Sequence, residues 1–453
     1  MSLPLHRTAN VPRWRPAAPS EGWKALWPPP VGLLLLWGGL WLNLNTGPWL
    51  LEGGMAAVGF PTLARVYAPF VVLPAALLWL AWAGFRPRRM ADSPLALLAV
   101  YGLIGMVAGL AWSPWLEYAQ YWATAYLATV GVCLAASRSS GAVTKATALL
   151  LATWVATATV AAGVTVKGSG TIFGDAPTAY GIINDLEGAS RASGVGRWAG
   201  VSALVAIVWA MHLGSRIARA VLLAGAGVGL YVVYRVQSRG AVFAAAAGLL
   251  FLLCLDKQRR RWALPSLVIA VFFMAALDAG GMLPEKILNY LNRGGSEESL
   301  YTLGGRTNYY REGWEAFKKD PFFGRGFWAD RLTGIGHIHD GPLEALLTAG
   351  LAGFVAYLWA WIAGWRLFAR LWRRRRRLLK AQVRELAACG AVLTFFTLRA
   401  IPEITGAGYE PDLLILCAAY AYLEAVHARG PGMRERAAVL TRRPGAQVSP
   451  ASA

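Results

Sequence analysis

Apolar stretches of roughly 20 residues recur along this chain, each long enough to cross a hydrocarbon core of about 30 Å. Lipid offers no hydrogen bonds, so only helices or a closed barrel can satisfy their own backbone there. Barrel strands are short and alternate apolar with polar residues, and these runs do not. The sequence therefore predicts an all-α polytopic membrane protein with about 12 transmembrane helices. Composition agrees: 15% of residues are charged, where soluble domains carry roughly 25%.

The spans are expected at 31–51, 61–85, 94–112, 116–136, 144–166, 198–213, 217–236, 240–255, 262–280, 342–365, 385–401 and 412–426. They divide the chain into a polar N-terminal segment (1–27), nine helices with a glycine-rich loop at 167–197 (28–280), and a large loop (281–341). The last three helices (342–427) and a polar, disordered tail (428–453) complete it. The four cysteines (Cys133, Cys254, Cys389, Cys417) all fall inside apolar runs without metal-ligand spacing, and read as small buried side chains. The first apolar run comes after basic residues but lacks a small-residue cleavage site, so it reads as a retained helix.

The net charge of +20 sits mostly in short segments between spans. With twelve spans, 29 of the 44 Lys and Arg residues fall in the termini and the alternate loops on their side, the 366–384 hairpin above all. That asymmetry predicts cytoplasmic termini and contact with anionic membrane lipids, and it gives no reason to invoke nucleic acid. The loops 167–197 and 281–341 and the turn Ser238-Arg239-Gly240 then face outside. Cytoplasmic ATP and nucleotide-sugars become unsuitable substrates, and no Gly-Lys-Ser/Thr phosphate loop is present.

The outer loop 281–341 is too long for a connector and is expected to be ordered. Helices are expected at 284–291 and 307–319, the second with Tyr310, Trp314 and Phe317 on one stripe. The loop ends in Gly-Ile-Gly-His337-Ile-His339-Asp340-Gly-Pro342-Leu-Glu344. Pro342 suits the start of a helix, and Glu344 complements its positive end. In extended chain His337 and His339 point the same way. A neutral imidazole can take a proton from a hydroxyl near pH 7, so the pair is a candidate general base, with Asp340 to orient one ring. The plainer alternative is a polar loop meeting water or headgroups; a His-x-His-Asp metal site lacks the strong ligand spacings. Arg191, Arg197, Arg239 and Arg306 are candidates for binding phosphate through their planar forks. A charge at Arg239, between two spans with almost no loop, is costly unless it faces a cavity or partner.

With these pieces placed, the chain resembles the bacterial O-antigen ligase and polymerase superfamily, polytopic inner-membrane glycosyltransferases of the GT-C type. The resemblance covers roughly 170–360. It rests on Arg191-Ala-Ser-Gly194, Ser238-Arg239-Gly240, Gly305-Arg306 with Trp314, Pro321-Phe-Phe-Gly324-Arg-Gly326, and His339-Asp-Gly-Pro-Leu-Glu-Ala-Leu-Leu-Thr-Ala-Gly350. Where the family often has His-Asn, this chain has His339-Asp340, which leaves His337 as an alternative base. The resemblance implies an undecaprenyl-pyrophosphate-linked O-antigen donor and a pyrophosphate held by Arg191, Arg239 and Arg306. It further implies inverting transfer to lipid A-core with His339 as base on the periplasmic side, with no nucleotide or metal cofactor. An O-antigen polymerase or a protein O-oligosaccharyltransferase of the same superfamily differs in acceptor. A lipid-linked glycan or solute transporter is the reading from another class, and it predicts repeats or interrupted helices with midplane charges.

Overall fold

The computed structural model describes residues 30–44, 46–51, 59–82, 89–173, 192–236, 238–255, 306–332 and 334–429. Arg191, the span expected at 262–280, the helix expected at 284–291 and the segments 1–27 and 430–453 lie outside them. Among the described residues the chain is helical and has no strand. Its long helices are α1 (Pro30–Asn43), α2 (Phe60–Trp82), α3 (Pro94–Trp112), α4 (Leu116–Arg138), α5 (Ala142–Lys167) and α6 (Ala192–His212). The others are α7 (Arg216–Arg235), α8 (Arg239–Cys254), α9 (Arg306–Lys319), α10 (Gly341–Arg373), α11 (Lys380–Arg399) and α12 (Pro411–Arg429).

The protein is a multi-pass membrane protein. Seven described helices are long and apolar enough to span (α2, α3, α5, α6, α7, α10 and α11), and α1 and α8 are shorter apolar helices. Outward-facing Leu78, Trp82, Ile217 and Val221 are exposed on α2 and α7, as lipid-facing side chains are. Cys254 is exposed as well, whereas the other three cysteines are buried as expected.

The centre of the bundle is α12, with every residue from Pro411 to Val426 buried. It packs on α3, α4, α5, α10 and α11. Two buried carboxylates near its ends carry partners, as buried charges must. Asp412 meets Arg197 at 2.8 Å and Arg399 at 3.2 Å. Glu424 accepts from Ser93 Oγ at 2.7 Å and meets Arg138 at 3.5 Å.

Several expected boundaries move: the helices expected from 198 and 385 begin at Ala192 and Lys380, and two ends shift further. The first helix ends at Asn43 instead of continuing to 51, because the Asn43 side chain turns inward to donate to Tyr121 Oη (2.7 Å) and the Arg65 carbonyl (2.6 Å). The tenth helix runs on to Arg373, eight residues past its expected end, because Leu367, Phe368 and Leu371 still bury one face. Only a short turn, Arg375–Arg377 included, remains of the basic hairpin.

The feature that builds the site is a break in α10. Gly350 has φ 60° and ψ −165°, so two helices meet there. The groups freed by the break are bonded by the loop before it. Arg325 and Gly326 N–H donate to the Leu347 and Thr348 carbonyls (2.8 and 2.9 Å). Leu351 and Ala352 N–H donate to the Pro321 and Phe322 carbonyls (2.8 and 3.2 Å). A Cβ on Gly350 would stand 2.3 Å from the Phe322 backbone, and one on Gly326 2.4 Å from Gly109 Cα. An interrupted helix is one mark of a transporter, but here the opened backbone is filled by the chain itself.

Gly350→Ala is therefore expected to destabilise the purified protein by about 3 kcal/mol, combining a glycine-only backbone region with overpacking. Gly163→Ala, where an added Cβ meets nothing within 4 Å, should leave the thermal midpoint unchanged or slightly raised. Equal midpoints for both variants in detergent would show that the stitched break contributes no stability.

Candidate active site

Directly after the stitched loop the chain passes through Trp328, the one described non-glycine residue with positive φ (66°). It then reaches Asp330, which is 2% exposed and organises the turn leading to the histidines. Its carboxylate accepts from Arg331 N–H (2.8 Å) and Ile338 N–H (3.0 Å), and its carbonyl accepts from Ile335 N–H (3.1 Å). Gly334 and Gly336 make the left-handed bends between these bonds, with φ 79° and 89°. Ile338 is fully buried against Gly313 of α9, so the flanking histidines turn the other way. Their ring centroids stand 4.1 Å apart, edge to face. Tyr310 Oη donates to the His339 carbonyl at 3.0 Å. Of the expected aromatic stripe on α9, Phe317 is buried but Trp314 is 47% exposed.

The carboxylate bonded to His339 is that of Glu403, from the loop between α11 and α12, at 3.2 Å from Nδ1. Asp340, expected as the orienting group, instead caps α10, accepting from Leu343 N–H at 2.7 Å. Nothing local in the sequence points to Glu403, which lies 64 residues downstream of the histidine.

The Glu403 bond fixes the tautomer of the His339 ring. Burial would raise the Glu403 carboxyl, but the His339 hydrogen bond and the charge of Arg399 hold it down at about 2. It is an acceptor only at neutral pH, so His339 Nδ1 must donate and Nε2 keeps a lone pair. Burial pushes the His339 pKa below 6.5, helped by His337 and Arg306 and opposed by the Glu403 bond. The ring is therefore neutral at pH 7. His337 Nδ1 stands between opposite charges, 3.0 Å from Arg331 Nη2 and 3.6 Å from the Asp330 carboxylate.

The candidate arginines separate into two environments. Arg306 donates to the Pro402 carbonyl (2.8 Å) and lies 3.8 Å from Glu403. Arg239, at the start of α8, feels the charge of Arg306, and its Nε is buried without a hydrogen-bond partner among the described residues. Arg197, by contrast, is held by Asp412 at 2.8 Å and Glu410 at 3.3 Å. It is 8% exposed, and its charge is largely neutralised there.

His337, His339, Arg197 and Glu403 line a cavity of about 930 Å³, whose wall also includes Arg65, Lys167, Arg331 and several tryptophans. The ligand atoms of His337, His339 and Glu403 lie within 4.8 Å of one another and could hold a metal ion. Arg331 on one histidine and Arg306 beside the carboxylate set positive charge against such an ion.

Residues 224–358 match the sequence model of the O-antigen ligase family. No curated protein matches the chain. The matched segment holds Arg239, Arg306, both histidines and the stitched loop, but neither Glu403 nor Arg197.

Nitrogen-15 NMR of histidine-labelled protein should find His339 neutral at pH 7 as the Nδ1–H tautomer, with its titration midpoint below 6.5. Because the Glu403 bond raises that pKa, Glu403→Gln should lower the midpoint further and mix the tautomers. Asp340→Asn, which still caps, should change neither. An Nε2–H tautomer in the unaltered protein would contradict the assignment.

Proposed function

We propose that this chain, whose residues 224–358 match the O-antigen ligase family model, is an O-antigen ligase. It moves an O-antigen polysaccharide from undecaprenyl pyrophosphate to lipid A-core. The observation that carries the reading is the array Glu403–His339 with a free Nε2, set beside Arg239 and Arg306.

In this reading His339 Nε2 removes the proton of an acceptor hydroxyl, whose oxygen bonds to the anomeric carbon of the donor sugar. The bond from that carbon to the phosphate oxygen breaks, and its electron pair leaves with undecaprenyl pyrophosphate. Attack opposite the leaving group inverts the configuration. Glu403 fixes the tautomer and stabilises the imidazolium that forms. Arg239 and Arg306 are the groups for the leaving pyrophosphate, since guanidinium forks match phosphate oxygens and are worth most out of water. Arg191 remains a third candidate by resemblance. Arg197 is the weakest of the four, because two carboxylates already occupy it. His337 stands edge to face beside the base.

The orientation is read from α10. The site lies at its N-terminal end, and its other end carries Arg370, Arg373 and the basic turn. Arg370 pairs with Asp92 at 2.9 Å, which joins the 366–384 segment to the loop between α2 and α3. Positive charge marks the cytoplasmic side, so we place the site at the periplasmic face of the bacterial inner membrane and both termini in the cytoplasm.

The test uses purified protein in lipid with an undecaprenyl-pyrophosphate-linked O-glycan, with or without lipid A-core, in EDTA and without nucleotide. A shifted lipopolysaccharide band only when both substrates are present is the expected result. Lengthened glycan without lipid A-core would make the protein a polymerase, and an intact donor in every mixture would overturn the enzyme reading. His339→Ala should lower transfer at least ~10³-fold while the protein stays in the membrane. Arg239→Lys and Arg306→Lys should each raise the donor KM about 10-fold or more, because one ammonium cannot replace the fork. Unchanged rates in the histidine variant would remove it from the role of base.

A further inference from the structure

The transfer reaction gives no task to Glu344. This residue lies in the first turn of α10, one turn after the cap formed by Asp340. An acidic residue there ordinarily rests in solvent and complements the helix dipole. Glu344 instead turns inward. It is 3% exposed and lines the cavity beside Asp330, Arg331 and the two histidines. Its Oε1 has Thr348 Oγ1 at 3.5 Å, and its Oε2 is buried without any hydrogen-bond partner among the described residues. A buried carboxyl oxygen left unbonded is costly, and the cost is offset when a ligand supplies the donor.

The rest of the wall says what kind of ligand. Trp41, Trp49, Trp122, Trp198 and Trp328 line the same cavity. Trp328 stacks on Trp122 (centroids 4.8 Å apart) and on Trp49 (5.6 Å), which holds its backbone in the left-handed region. Backbone strain of that kind persists only where surrounding packing enforces it. Flat apolar rings interleaved with fixed polar and charged side chains suit a saccharide. Its C–H faces lie against indole while its hydroxyls find acceptors. A sugar hydroxyl can supply the donor that this carboxyl oxygen lacks.

We propose that Glu344 is a specificity-determining residue for the acceptor: its free oxygen accepts a hydrogen bond from one hydroxyl of the acceptor's terminal sugar, seated against the tryptophan wall. The sugar's neighbouring hydroxyl then lies toward His339. The inference rests on the transfer reading and deepens it, since it divides the site between the donor pyrophosphate at Arg239 and Arg306 and the acceptor sugar in the cavity.

The test compares wild type, Glu344→Ala and Glu344→Gln in the transfer assay. Acceptors are lipid A-core saccharides whose terminal sugar lacks one hydroxyl at a time. Wild type should lose roughly 10- to 100-fold in kcat/KM with one of the deoxy acceptors, the cost of leaving a buried polar group unpaired. Glu344→Ala should lose a similar factor with the complete acceptor, stop discriminating against that deoxy analogue, and keep the wild-type KM for the lipid-linked donor. Glu344→Gln has the same size and one remaining acceptor oxygen, and it keeps the test readable if alanine fails to fold; its discrimination should weaken. Full discrimination in both variants would overturn the proposal, as would equal losses across all acceptors with a raised donor KM. Absence of transfer by the wild-type protein would overturn the transfer reading first.

Discussion

The site depends on four backbone hydrogen bonds between the 321–326 loop and the break in α10. A helix opened at Gly350 inside a membrane protein leaves carbonyls and N–H groups that lipid cannot satisfy. The loop supplies their partners, and in doing so it is fastened to the helix whose N-terminus carries the histidines. Glycines at 324, 326 and 350 permit the approach, since side chains there would collide with backbone. The described residues between the two ends of this stitch, 327–332 and 334–340, are thereby confined to a short span beside the cavity. Asp330 then commits its carboxylate to backbone N–H groups of that span, which turns two histidines of a loop into a rigid pair.

Around this frame, carboxylates sort the positive charges. Asp412 and Glu410 occupy Arg197, and Asp412 also holds Arg399. Glu403 is shared between His339 and the edge of Arg306. Arg239 has no such carboxylate among the described residues. Arg306 and Arg239 lie close enough to feel each other's charge, and the cavity at His339 combines tryptophans with charged side chains. The proposed transfer would use such groups: fixed positive charge where negative charge develops, and indole rings beside polar groups where a sugar must be oriented.

Much of the fold was legible because its cause is local. Membrane helices are specified by uninterrupted apolar length, and α2, α3, α7 and α8 begin and end within a few residues of expectation. So was the helix at Arg306–Lys319, which Asp320-Pro321 stops. The end of α1 was not, because a buried asparagine bonding to Tyr121 outweighs the apolar run beyond it. The break at Gly350 was not either. Its glycine looks ordinary within an apolar helix until the loop that fills the gap is in place.

The site shows the same division. The sequence by itself determined the chemical inventory: two histidines on one side of an extended stretch, a capped helix beginning after them, and arginines between apolar runs. Of the arginines, Arg239 borders an apolar run and Arg306 lies in the loop before the histidines; each feature comes from spacing or from composition. Only the tertiary structure decided which groups meet. It brought Glu403 from another loop to His339 and left Asp340 to cap the helix. It neutralised Arg197 and turned Glu344 inward. Those outcomes depend on which buried charge lies within about 4 Å of which partner, where electrostatic and hydrogen-bond energies are largest. Residues 64 or more positions apart have no spacing pattern that encodes such a distance.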